Sequence, residues 1–324
     1  MARMKVFVFD PVAAGATLTR PLPRSLRRQG EMLRQALMND LGALSGIDVV
    51  MAASPDPSAS AASGVDGGNP FAAAIRAADA VWPLASESAG ALEQLSRGIL
   101  HDKRILLGSA PGAVAVAASK LKLARVLAEG GVPVVATYSP HAPLPQDGGP
   151  WVVKPDDGAG CLDTRLFSDR AAALAWIRAR AADGYVLQPF VSGKLGSLSL
   201  ICCDGMARLL ACNQERVAMR DNRFHYLGSV VNGLADAEGA LAHLAQQVAA
   251  AIPSLWGYVG VDFVLTASGA MVLDVNPRLT AAYAGLHASI GRNPAGLVLD
   301  LLDDPATTAP GGMRRAVSVD VGPP

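Results

Sequence analysis

The chain has 324 residues, enough for one large domain or two to three smaller units. Hydrophobic residues make up 51% and charged residues 17%, so a sizeable core can form. Its 28 basic and 28 acidic residues cancel, which removes any general attraction to nucleic acid or to an anionic membrane surface, leaving only local basic patches as a route to such partners. The cysteines Cys161, Cys202, Cys203 and Cys212 form no C-x-x-C pair, and adjacent Cys202 and Cys203 point to opposite faces of a strand. Reduced thiols in a cytoplasmic protein are the expectation. The opening MARMKVFVFDP is a strand-like run without the form of a signal peptide, and no stretch of about twenty apolar residues offers a membrane span.

The predicted elements begin with a buried strand over Met4–Phe9, a helix over Ser25–Leu41 and a strand over Ile47–Met51. The Ser/Pro/Gly-rich stretch Ala52–Asn69 reads as a surface loop. A strand at Ala80–Leu84, a helix at Ser86–Leu100 and a strand at Arg104–Leu107 complete a βαβ rhythm, which implies a small parallel sheet. The first strand runs into PVAAGATLTR rather than G-x-G-x-x-G, so this unit lacks the dinucleotide fingerprint.

Helix Ser119–Glu129 stops at Gly130-Gly131. Strands are expected at Val132–Thr137 and Trp151–Lys154, joined by the Pro/Gly-rich Ser139–Pro150. A helix at Asp169–Ala182, capped by Ser168, leads to the strand Tyr185–Phe190. Strands at Ser197–Cys203 and Ala207–Cys212, a helix at Ala237–Ala251 stopped by Pro253, and a final pair of strands follow. Strands and helices come in blocks here, so the second part reads as α+β beside the α/β first part. No internal repeat is present.

That final pair, GYVGVDFVLTASGAMVLDVNPR, is a hairpin turning at Ser268-Gly269. With the turn centred on Ser268, Leu265 faces Met271, Phe263 faces Leu273 and Val261 faces Val275, giving one apolar face. The other face sets Asp262 opposite Asp274, with Asn276 two residues on. Opposed carboxylates destabilise a sheet unless a cation lies between them. Two carboxylates and an amide oxygen form a hard oxygen site suited to Mg²⁺ or Mn²⁺, and Arg278 can contact the same anion; incidental acids on a solvated face are the alternative.

Lys154 ends a strand and opens KPDDGAGC, where Gly158 and Gly160 let backbone N–H groups approach a phosphate. A surface lysine before a turn reads the same way. Lys120 opens SKLKLARVLAEGG, and the pattern does not separate it from Lys122. The run Gln188 to Gly193 ends a strand with free backbone groups that suit an adenine edge or a plain linker.

In order, Lys120, Lys154 with its glycine loop, QPFVSG, D-F-V and L-D-V-N-P-R resemble the ATP-grasp superfamily over about residues 110–300. The resemblance implies an N-terminal Rossmann-like pre-ATP-grasp domain (1–110), an ATP-grasp small lobe (111–187), a large lobe (188–310) and a C-terminal tail (311–324). It implies that Lys120 and Lys154 hold the ATP phosphates and that Gly158, Gly160 and Cys161 belong to the loop closing over them. It also implies that Gln188, Phe190 and Val191 lie at the adenine hinge. Asp262, Asp274 and Asn276 match magnesium ligands, and Arg278 and Lys154 are the catalytic candidates. Gln188 stands where many relatives carry Glu, KLGS follows the hinge where many carry an acid for the ribose, and Cys161 stands where Ser is common. More narrowly, SLRRQGEMLRQALMNDL, KPDDGAGC, CNQERV…FHYLGS and NPRLTAAYAGL…GRNPAGL resemble the tyramine–glutamate ligase group of methanofuran biosynthesis. ATP, a small carboxylate and an amine are the implied partners, with glutamate and a tyramine- or tyrosine-like amine the narrowest pair, and a homodimer as the candidate assembly. Asn213, Gln214 and Tyr226 are candidate substrate contacts. A ligase for another amino-acid or dipeptide pair, a non-catalytic nucleotide-binding module and, distantly, a dehydrogenase remain as alternatives.

Overall fold

The computed structural model describes residues 3–10, 24–51, 70–145, 149–158, 160–180, 184–304 and 314–322. The expected loop Ala52–Asn69 lies outside them. Strands β1 (Met4–Phe9), β2 (Ile47–Met51), β3 (Ala80–Pro83) and β4 (Ile105–Leu106) form a parallel sheet in the order β2-β1-β3-β4. Helix α1 (Arg24–Gly42) packs Leu33, Leu37 and Leu41 into the core that this sheet shares with the C-terminal part of the chain. Helix α2 (Pro70–Ala77) precedes β3, and α3 (Ala91–His101) follows it through a short turn over Ser88–Gly90. The expected single helix from Ser86 is thus broken, because Ala89 (φ 55°) and Gly90 (φ 69°) are left-handed. That break presents Glu87 and the Ala89 N–H to the second sheet.

Helices α4 (Pro111–Ala117) and α5 (Lys120–Glu129) lead to the second sheet. Ser119 caps α5 by accepting from the Lys122 N–H. The expected strand Val132–Thr137 is absent as such: Val134 bridges Val272 and Tyr138 bridges Leu187. Pro133 has no N–H to give a ladder, and the segment passes from one sheet edge to another.

The second sheet contains β5 (Trp151–Pro155), β6 (Arg165–Phe167), β7 (Tyr185–Pro189), β8 (Lys194–Cys203), β9 (Met206–Arg220), β10 (Arg223–Val231), β11 (Gly257–Thr266), β12 (Gly269–Asn276) and β13 (Val317–Asp320). Its order is β12-β11-β8-β9-β10-β6-β5-β7, with β13 pairing β10. Every pairing in it is antiparallel. Strand β9 continues eight residues past the expected end at Cys212, and β10 is a strand that the periodicity did not mark. Residues 317–320, expected within a tail, are a strand of this sheet. Helix α6 (Arg170–Ala179) is capped by Asp169 rather than Ser168; Ser168 Oγ instead donates to Asp169.

Helix α7 (Ala240–Ala251) covers one face of the long strands. Leu241, Leu244 and Val248 meet Val259, Val261, Phe263, Val272 and Val275 there. Full burial of each aliphatic side chain contributes about 1.5–3 kcal/mol. Helices α8 (Tyr283–Ile290) and α9 (Pro294–Asp300) pack against α1 and tie the two sheets together. Among the described residues no helix is long and apolar enough to cross a membrane.

Candidate active site

The face of the second sheet opposite α7 lines a cleft with a cavity of about 240 Å³. Its polar groups come from segments far apart in sequence: α1, the start of α5, β5 with the following loop, β7, β9, β10, and the β11–β12 hairpin with the turn that follows it.

The hairpin sets Val261 opposite Val275 and Asp262 opposite Asp274, as the sequence register predicts. Beyond that pair the register shifts, so Phe263 faces Val272 and Val264 faces Met271. Leu273 is the extra residue of a β-bulge. The expected pairs Phe263–Leu273 and Leu265–Met271 are therefore corrected. Val272 takes the core position, while Leu273 turns into the cleft beside Asp274. Gly260, opposite Asn276, allows close approach: a Cβ there would lie 2.4 Å from Thr280 Cγ2.

The acids are closely coupled. Burial, then Glu215 and Asp274, push the Asp262 carboxyl up to about 7. Asn276 Nδ2 donates to Asp262 Oδ2 (3.1 Å), and Asn276 Oδ1 accepts from Arg278 Nη2 (3.0 Å). The amide so placed turns its nitrogen to Asp262, and ligation of a metal requires it to rotate. Among the described residues no group of three or more His, Cys, Asp or Glu side chains could hold a metal ion. The candidate donor set is two carboxylates and one amide. This hard, oxygen-bearing and negatively charged set fits Mg²⁺.

Lys120 is the cleft lysine, being buried, whereas Lys122 is exposed. Its Nζ donates to Gly158 O (2.7 Å) and lies 3.4 Å from Asp274 Oδ2. Asp156 accepts from the Leu121 N–H, fixing the glycine loop to the start of α5. Lys154 Nζ reaches the carbonyl of the bulged Leu273 (3.5 Å). Burial lowers the Lys154 ammonium to about 8, against the raising effect of Asp274. Gly158, Gly160 and Cys161 line the cleft. Cys161 has φ 59°, and burial, then the Asp262 charge, pushes its thiol up to about 12. It stays protonated near neutral pH, so it is poorly suited to act as a nucleophile.

Gln188 is buried and lines the cleft, but its Nε2 donates to Thr137 Oγ1 (2.8 Å). Phe190 and Val191 line the same end, with Val135, Val152 and Leu195 around them. Those apolar walls suit a planar base, and isolated valines and leucines gave no hint of them in sequence.

Arg278 is anchored from the first sheet. Its Nε donates to Glu87 Oε2 (2.8 Å) and its Nη1 to Leu279 O (3.2 Å). Burial opposes the guanidinium charge, but Glu87, then Asp274 and Asp262, outweigh it and hold the arginine firmly protonated. The Glu87 turn also contacts the loop after β5, where the Ala89 N–H donates to Asp157 Oδ2 (2.6 Å).

Two of the three candidate substrate contacts lie elsewhere. Asn213 is fully buried, with Nδ2 donating to Ser197 and Ser199 and Oδ1 accepting from the Asn232 N–H. It braces neighbouring strands. Gln214 does not line the cleft, because alternation along β9 points it to the other face, whereas Tyr226 does line it. Glu87 and Glu215 are polar groups of the site that the sequence reading missed. Glu215 falls three residues after Cys212, in the half of β9 whose period was not recognised.

A parallel α/β unit joined to a curled antiparallel sheet, with paired lysines, a glycine loop and an acidic hairpin around one cleft, defines an ATP-grasp architecture. The ATP-grasp domain model matches residues 117–282, and the pre-ATP-grasp 3 domain model matches residues 53–114. The chain belongs to the ATP-grasp family. No curated protein matches the sequence. Among solved structures, it is similar to a protein from Archaeoglobus fulgidus assigned to the ATP-grasp superfamily, with 21% identity and TM-score 0.70, covering 98% of this chain and all of that one. It is also similar to the L-amino acid ligase of Bacillus licheniformis, with 17% identity and TM-score 0.62, covering 93% of this chain and 74% of that one. A third is the D-alanine–D-alanine ligase of Bacillus anthracis complexed with ATP, with 13% identity and TM-score 0.65, covering 92% and 96%. At these identities the likeness is one of fold.

Proposed function

We propose that this chain is an ATP- and magnesium-dependent carboxylate–amine ligase that forms an amide through an acyl phosphate. One observation carries the reading: Lys120, Lys154, Asp262, Asp274, Asn276 and Arg278 come from separate segments and converge on a single cleft. Two fold neighbours are ligases by description, and one is complexed with ATP. Narrowed by the motif resemblance, the substrates are glutamate and a tyramine- or tyrosine-like amine, as in methanofuran-type cofactor biosynthesis. We divide the chain into a pre-ATP-grasp unit (1–110), two ATP-grasp lobes (111–187 and 188–310) and a C-terminal segment (311–324). We place the protein in the cytoplasm on its four free cysteines and expect a homodimer.

In the reaction, a substrate carboxylate oxygen attacks the γ-phosphorus of ATP, and ADP leaves with the electrons of the P–O bond. The amine nitrogen then attacks the acyl carbon, a proton leaves the nitrogen, and inorganic phosphate departs. Magnesium held by Asp262, Asp274 and Asn276 would supply charge neutralisation when two anions meet. Lys120 and Lys154 bind phosphate oxygens, and Lys120 exchanges its contacts with Gly158 O and Asp274 for the nucleotide. Arg278, oriented by Glu87 and Asn276, holds the transferring phosphoryl group or the acyl oxygen. The glycine loop, tied to α5 through Asp156, excludes water from the acyl phosphate.

The test is ADP release with Mg-ATP while carboxylate and amine pairs are screened. Release requiring both partners is the expected result. ATP binding without release under every pair would instead assign a nucleotide-binding module.

A further inference from the structure

The cleft face of the sheet carries one carboxylate that the phosphate-transfer machinery leaves unbalanced. Asp274 lies against Lys120, and Glu87 against Arg278. Glu215, on β9, has no ion pair among the described residues. Its sequence neighbour Arg216 is committed to Asp320 and the Val319 carbonyl. Ser197 Oγ donates to Glu215 Oε1 (2.5 Å) and the Tyr226 hydroxyl lies against the same carboxylate, while Oε2 is buried without a well-formed hydrogen bond; burial pushes the carboxyl above its usual range, against Ser197, Tyr226 and the Arg216 charge. A buried carboxylate oxygen left so costs about 1–3 kcal/mol or more unless a ligand satisfies it.

The ladder places this group relative to the chemistry. Asp262 pairs with Ser197 on β8, and Ser197 pairs with Asn213 on β9, two residues before Glu215. Glu215 is thus two strands from Asp262, on the order of 10 Å at the backbone at about 4.8 Å per strand, and on the same face. Its side chain reaches back to Ser197, the direct neighbour of Asp262. Among the described residues no group of three such acids is arranged to hold a metal ion, and the candidate donors of the hairpin are two carboxylates and one amide without Glu215. Beside it, Val217, Phe224 and Tyr226 line the cleft. The charge seeks a cation, and the surroundings seek an apolar or aromatic body.

We propose that Glu215, with Ser197 and Tyr226 at its sides, is the binding site for the primary ammonium group of the amine substrate, and that Val217 and Phe224 take its apolar body; the ammonium gives one proton to the Glu215 carboxylate before its nitrogen attacks the acyl carbon, and the nitrogen loses a second as the amide forms and phosphate leaves. This rests on the ligase reading. It assigns that reading's second substrate to one wall of the cleft, opposite the lysines. A metal ion is too strongly hydrated to be held by a single carboxylate, whereas an ammonium offers donors to Oε2 and to the Tyr226 hydroxyl.

The experiment separates the two steps. Hydroxylamine is largely uncharged near pH 7.5 and traps acyl phosphates as hydroxamates without needing an ammonium site. Wild-type protein and Glu215→Gln are given Mg-ATP, a panel of carboxylates including glutamate, and either hydroxylamine or a panel of primary amines including tyramine. The expected result is hydroxamate formation by both proteins, with any change in its rate in Glu215→Gln, whose charge also acts on Asp262, smaller than the change in amide formation, and with the KM for the amine raised at least tenfold while that for Mg-ATP is not. Tyr226→Phe should raise the amine KM by a smaller factor, without affecting the hydroxamate. Glu215→Gln keeps an oxygen for Ser197 and removes a buried carboxyl without an ion pair, so its thermal midpoint should equal or exceed that of wild type. No hydroxamate from wild type with any carboxylate would overturn the ligase reading. Hydroxamate with no amide from any primary amine, an unchanged amine KM in Glu215→Gln, equal losses in both assays, or a lowered midpoint would overturn the Glu215 assignment alone.

Discussion

Glu87→Ala tests whether the first sheet holds the candidate active site in shape. The substitution removes the partner that receives Arg278 Nε at 2.8 Å, and only 16% and 9% of the arginine and glutamate side chains are exposed. Breaking a buried pair by removing one member costs roughly 3–5 kcal/mol, because the remaining charge stays desolvated. At about 2.1 cal/mol/K per residue, a chain of this length has an unfolding entropy near 0.7 kcal/mol/K, so the expected drop in thermal midpoint is roughly 4–7 °C if it unfolds as one unit. Arg278 would keep its bonds to Asn276 and Leu279 but lose its orientation, and turnover should fall about 10- to 100-fold. The assay is a double-mutant cycle with Arg278→Ala, read by thermal unfolding and by ADP release. Coupling below about 0.5 kcal/mol, with turnover unchanged, would refute the reasoning and mean that the pair is effectively solvated.

Asp274→Ala should abolish Mg-ATP turnover, by 10³-fold or more, with a near-native circular dichroism spectrum; wild-type activity would remove Asp274 from the metal site. Lys154 titrates near 8 in the free protein, depressed chiefly by burial, and phosphate oxygens favour its charged form. ATP binding below that pH should therefore take up no proton at this site, whereas above it binding should take up to one proton and weaken by up to tenfold per pH unit; calorimetry in buffers of different ionisation enthalpy reads this directly. Gly228 has φ 132°, and a Cβ there would sit 2.0 Å from the Val319 carbonyl oxygen. Gly228→Ala should thus pull β13 from β10 and lower stability by about 2–4 kcal/mol in urea unfolding, which hydrogen exchange would locate at residues 317–320.

Much of the site was legible in the sequence because it rests on local rules. The hairpin turn and period two set Asp262 opposite Asp274, and the order of lysines, glycine loop and acids marked the architecture. What failed was information held in more than one segment. The bulge at Leu273 offers a carbonyl to Lys154 and a side chain to the cleft, and nothing within the hairpin announces it. Lys120 and Lys122 look alike along the chain; only docking of α5 against the glycine loop buries one and leaves the other in water. Strand β10 carries too few alternating apolar residues to be seen alone, since its burial comes from β9, β13 and α8. Glu87 and Glu215 are ordinary acids in sequence, and become distinctive only where folding takes them out of water, one against an arginine 191 residues away and one with no ion pair among the described residues. The sequence by itself determined which residues alternate, cap and turn. The tertiary structure decided which charges lose their solvent, because desolvation depends on every segment that closes over a group and not on its neighbours in the chain.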